Sequence, residues 1–167
     1  MSYFAFGEIV LRAGISDTWL VDLSFELEVH SLRERIFIQL GPGIKQKLVF
    51  DILNEQRWPS KEKTLPFLFT SSPLADTSHE LIALPDMVPQ NHAEWTDVLE
   101  KNLGKIAKVL SVALSLKEVE LITLIFSEGY DTTYDFAEAH IDAMPKTVIR
   151  KCGADYEVPS LKLVLKN

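Results

Sequence analysis

Residues 18–30 alternate in polarity. Trp19, Val21, Leu23, Phe25, Leu27 and Val29 take one face of an extended chain, and Leu20, Asp22, Ser24, Glu26, Glu28 and His30 take the other. Period two over this length predicts a strand with one buried and one wet face. Such a strand belongs in an antiparallel sheet. Residues 3–11 and 35–40 read as neighbouring strands. The short link at residues 31–34 predicts a hairpin from 18–30 into 35–40, where Arg33 and Arg35 would pair with Glu26 or Glu28. Gly41, Pro42 and Gly43 break the run. Residues 44–56 then predict a helix with Ile44, Leu48 and Ile52 on one face.

Five of the eight prolines fall between Pro59 and Pro89. This stretch predicts a long irregular excursion with a short extended piece at 80–84. Excursions of this length are uncommon in a compact domain and tend to be functional. The clearest helix is 94–116. There Leu99, Leu103, Ile106, Leu110 and Ala113 recur at spacings of four and three, and Asn91 with Glu94 has the spacing of a capping box. Residues 119–126 are apolar on both faces, as in a central strand covered on both sides. The last strand, 161–166, places Lys162 and Lys166 on one face, which suits a sheet edge. Together these elements predict an α+β domain: a mixed, largely antiparallel sheet with two to three helices packed on it. At 167 residues the chain fits a single domain, 1–167, with the proline-rich excursion at about 59–89 inside it.

Charge changes this picture in one place. Residues 118–145 contain no Lys or Arg but seven acids: Glu118, Glu120, Glu128, Asp131, Asp135, Glu138 and Asp142. Outside the window the remaining 17 acids balance the 17 basic residues, so the whole formal charge of −7 sits in this stretch. Phe126, Tyr130, Tyr134 and Phe136 interleave with the acids. Read as a helix over 132–144, the segment places Asp131, Asp135, Glu138 and Asp142 on one face. It would turn Phe136, Ala139, His140 and Ala143 to the core, and Pro145 would end it. Read as a strand, Asp131 and Asp135 share a face and Glu138 moves to the other. The helix is the preferred reading. Either way the segment is a solubilising face or an acidic docking surface with tyrosine anchors.

The residues offer little else as chemistry. His30, His79, His92 and His140 do not pair at metal-ligand spacing, and His79-Glu80 does not continue into H-E-x-x-H because position 83 is alanine. There is no nucleophile elbow. Gly41-Pro42-Gly43 is too short for a phosphate-binding loop, and its proline removes a backbone donor. The expectation is therefore no cofactor, no metal and no enzyme. Nucleic acid is disfavoured as a partner, because phosphate contacts need clustered cations. The modest group Lys45, Lys47, Arg57, Lys61 and Lys63 is interspersed with acids. No apolar run reaches the roughly 18 residues of a membrane span. The first residues lack a charged leader, and Cys152 is the single cysteine, which reads as a small buried hydrophobe. These features predict a cytoplasmic protein without membrane contact.

In size, acidity, α+β character and lack of catalytic motifs the chain resembles the immunity proteins of bacterial toxin systems, of the contact-dependent growth inhibition type. The local text that carries this is Phe126-Ser-Glu-Gly-Tyr-Asp-Thr-Thr-Tyr-Asp-Phe136. The resemblance implies a tight complex that occludes the active site of a cognate basic toxin domain, often a nuclease. The contact residues expected on this chain are Glu128, Tyr130, Asp131, Tyr134, Asp135, Glu138 and Asp142. Two other classes compete with this one. One is a small hydrolase assembled from distant residues such as Glu128, Asp131 and His140. The other is a subunit or adaptor that pairs through the exposed face of 18–30 or through the edge at 161–166. An exposed apolar patch away from the acidic segment is the feature that favours the last.

Overall fold

Six strands form one sheet in the order β2-β3-β1-β4-β6-β5. They are β1 (Phe4–Leu11), β2 (Phe37–Leu40), β3 (Thr64–Thr70), β4 (Val119–Ser127), β5 (Asp135–His140) and β6 (Leu161–Lys166). Every neighbouring pair is antiparallel except β5 and β6, which run parallel. Among the described residues three helices pack on it: α1 (Asp17–Arg33), α2 (His92–Leu114) and α3 (Met144–Lys151). The architecture is the expected α+β class with a mixed, largely antiparallel sheet. The computed structural model describes residues 4–41, 64–70, 91–127, 134–152, 158 and 160–167. The helix expected at 44–56 and the extended piece expected at 80–84 lie outside them.

The core is built on the helix-facing side of the sheet. Ala5, Ile9 and Leu11 of β1, Leu65, Phe67 and Phe69 of β3, and Ile122, Leu124 and Phe126 of β4 meet the expected stripe of α2, from Leu99 to Ala113. Asn91 caps α2 as its spacing predicts, its side-chain oxygen accepting from Glu94 N–H at 2.9 Å. Such a cap is worth about 1 kcal/mol. The opposite side of the central strands is also buried, through Phe6, Val10, Leu68 and Ile125. That is the two-sided burial the sequence of β4 predicts.

Residues 18–30 form a helix, and the predicted strand and hairpin are absent. Strict alternation wound into a helix sends apolar side chains all the way round. Leu23 and Leu27 are buried, with Trp19 and Leu20 packed beside them, while Val21 and Phe25 point into solvent. Local signals favour the helix. Ser16 caps it by accepting from Trp19 N–H at 3.2 Å, Asp17 lies in the first turn and Arg33 in the last. Arg35, at φ 58°, makes the exit: its N–H reaches Leu32 O and that of Ile36 reaches Ser31 O, both at 3.1 Å. This is a Schellman turn with arginine where glycine is usual. Glu26 pairs with His30 at 3.9 Å.

Three further expectations are corrected. Thr64–Thr70 is a strand within the stretch expected to be irregular. Its Pro66 is tolerated because a residue's N and C=O point to the same side of a strand. The Pro66 carbonyl accepts from Gly41 just past the end of β2, so the missing donor faces ground where the ladder has stopped. The described part of 132–144, from residue 134 on, is not the expected helix. Asp135–His140 is a strand, Ile141–Ala143 a 3-10 turn, and Pro145 opens α3 instead of ending a helix. Finally, β6 is interior, between β4 and β5. Its lysines lie on the face away from the helices, where Lys166 reaches Glu138 at 3.5 Å. Among the described residues no helix is long and apolar enough to cross a membrane.

Candidate functional site

β5 is the terminal strand at one end of the sheet. Its alternation turns Asp135, Ala137 and Ala139 toward the helix layer and Phe136, Glu138 and His140 to the opposite face. The parallel register with β6 sets Ala137 beside Leu163 and Ala139 beside Leu165, and the two alanines pack on the core. Asp135 is anchored by its N–H donating to Ser160 O at 2.9 Å. Its side chain remains exposed, as do those of Glu138 and Asp142. Phe136, expected in the core, is 59% exposed.

The expected contact residues are therefore not on one face. Asp135 and Glu138 take opposite sides of β5, and Asp142 sits on the turn that follows. His140 accepts from Asp142 N–H at 3.3 Å, and its Nδ1 lies 3.6 Å from the Asp142 carboxylate. Tyr134 is partly buried, and its hydroxyl is buried with no hydrogen-bond partner among the described residues. Glu128, Tyr130 and Asp131 lie outside the described residues, so the hydrolase grouping with His140 does too. The window lacks a basic residue in sequence, but β6 supplies two in space. Lys162 stands opposite Phe136 in register, and Lys166 opposite His140. No group of three or more His, Cys, Asp or Glu positioned to hold a metal occurs among the described residues.

Two features escaped the sequence reading. Glu8, at 1% exposure, is a carboxylate in the middle of the sheet, on the face away from the helices. It accepts from the Thr64 hydroxyl at 3.1 Å. Its signal was a single acid inside the apolar run of β1. The second is the outer side of α1, where Val21, Phe25 and Leu32 are exposed. Reading 18–30 as a strand assigned Val21 and Phe25 to its buried face.

Cys152 closes α3 and packs against the core, its thiol donating to Val148 O at 3.3 Å. Burial pushes the thiol up from 9.0 to about 11. The thiolate is the reactive form, so at pH 8 the native protein should react with iodoacetamide about a hundredfold more slowly than the chain unfolded in urea, with the native rate still rising between pH 9 and 11. Equal rates in the two states would mean the thiol is open to solvent. Compared with known protein families, characterised proteins and solved structures, the chain matches none of them.

Proposed function

We propose that this chain is a non-catalytic binding protein that neutralises a basic protein partner. In its specific form it is an immunity protein that occludes the active site of a cognate toxin domain, a nuclease, in the cytoplasm. The observation that carries the reading is Phe136, a large apolar side chain left in solvent on a terminal strand and accompanied within seven residues by the exposed acids Asp135, Glu138 and Asp142. Aromatic side chains are enriched in interfaces, where they anchor the buried centre while polar groups form the rim. A nuclease domain presents cations that hold phosphate, and an acidic partner is steered to them. A stable complex would bury about 1,200–2,000 Å². The acids act from both faces and the end of β5, so the partner embraces the edge of the sheet.

The test is a pull-down from the source bacterium at low and at high salt, followed by association kinetics with the retained protein. A single basic protein should be held at low salt and depleted at high salt. Reversing Asp135, Glu138 and Asp142 to Lys should slow association at least about tenfold and flatten its salt dependence. Unchanged kinetics would sink the placement. The subunit or adaptor reading also has an observation in its favour, the apolar outer side of α1, remote from the acidic segment.

A further inference from the structure

Three of the four large apolar side chains exposed among the described residues sit on α1: Val21 at 66%, Phe25 at 65% and Leu32 at 59%. They are spaced i, i+4 and i+11, and at 3.6 residues per turn they fall within about 40° of one another. They form a stripe about 17 Å long. The fold does not need it, because α1 already buries another side through Leu23, Leu27 and Ser31. Exposed acids border it on both flanks, Asp17 and Glu28 on one and Asp22 on the other, while Glu26 lies further round beside His30. On α1 and its exit, basic groups appear only past the middle, at His30, Arg33 and Arg35. α1 packs on α2 and beside β2, and β2 and β5 are opposite ends of the sheet. This surface is therefore separate from the one around Phe136.

We infer that the outer side of α1 is a second docking face, and that its occupant is a basic amphipathic helix of a partner protein. Apolar side chains at spacings of three and four on such a helix meet Val21, Phe25 and Leu32. Lys or Arg on its flanks meets Asp17, Asp22 and Glu28. A second copy of this chain fits less well. Parallel α1 helices set acid against acid along three turns, and antiparallel ones leave only His30, Arg33 and Arg35 to answer them.

The test uses the full chain and three dye-labelled 14-residue helical peptides of the same length, built from Leu and Lys, Ala and Lys, or Leu and Glu, read by fluorescence anisotropy. The Leu/Lys peptide should bind saturably and the other two at least about tenfold more weakly. The double variant Val21→Ser and Phe25→Ser should cost at least about tenfold. The double variant Asp22→Lys and Glu28→Lys should weaken binding strongly in low salt and less in high salt. Phe136→Ser, which belongs to the contact proposed at β5, should leave binding of the Leu/Lys peptide unchanged. All these side chains are exposed, so an unchanged melting temperature accompanies each variant. Absence of binding, equal binding of the Ala/Lys peptide, or indifference to the Val21 and Phe25 changes overturns the inference. Sensitivity to Phe136→Ser in place of the α1 variants also overturns it, while leaving the proposed contact at β5 intact. Sedimentation equilibrium completes the test: self-association abolished by the α1 variants would make the occupant a second copy.

Discussion

Gly7→Ala is expected to destabilise the fold by about 3 kcal/mol or more, read as a lowered urea midpoint at unchanged slope. Gly7 lies in β1, at the centre of the sheet, with β3 on one side and β4 on the other. A Cβ there would collide with the Thr123 carbonyl oxygen, come within 2.8 Å of its carbon, and stand 3.1 Å from the tip of the Phe67 ring. A flexible side chain could give way, but the Thr123 carbonyl belongs to the backbone of a paired strand and cannot. The one methyl group must therefore push β1 and β4 apart or twist β1 out of register. A midpoint within error of the parent would mean that the strands separate easily.

Phe67→Ala should cost about 3–5 kcal/mol and lower the melting temperature by roughly 10 °C. Phe67 is fully buried, faces the helix layer across from Gly7, and meets Phe69 edge-on with ring centroids 5.6 Å apart. Truncation removes a large apolar surface and opens a cavity between rigid strands. Phe67 also occupies the space that Gly7 leaves, which suggests a double variant. If the ring were the main obstacle to a side chain at position 7, Phe67→Ala would rescue Gly7→Ala. The nearest obstacle is the Thr123 backbone, so Gly7→Ala should keep most of its cost in the Phe67→Ala background, with a coupling of about 0.5 kcal/mol or more because the two positions touch. Substantial rescue would overturn that ranking of the two contacts.

Elements with a single apolar stripe or a continuous apolar run were legible in the sequence. The stripe from Leu99 to Ala113 has one interpretation, and so has the two-sided run of β4. α1 was not legible, because Trp19 to Val29 satisfy a strand pattern while Ser16, Asp17 and Arg33 satisfy helix termini. The winding was decided by burial of Leu23 and Leu27 against neighbours distant in sequence. β3 was hidden by prolines, since whether Pro66 breaks a strand depends on where the adjacent strand stops. The acidic window was visible as composition but not as geometry. Its arrangement depends on β6 lying beside β5 in parallel, which brings Lys162 and Lys166 across from it. The exposure of Phe136 follows from the same pairing, which no local pattern encodes.

The order of strands also bears on how fast the sheet can form. β1 pairs with β3, more than fifty residues away, and with β4, more than a hundred away. β2 and β3, the neighbours with the shortest stretch of chain between them that holds no described helix, are separated by 23 residues. No pair among the described strands is a tight hairpin that could zip from its own turn. Closing such loops costs entropy before any contact repays it, so this topology belongs among the slow folders, in milliseconds to seconds. During that interval β1, the strand on which the rest assembles, has neither of its partners at hand, and its run from Phe4 to Leu11 is the segment most open to pairing with another chain.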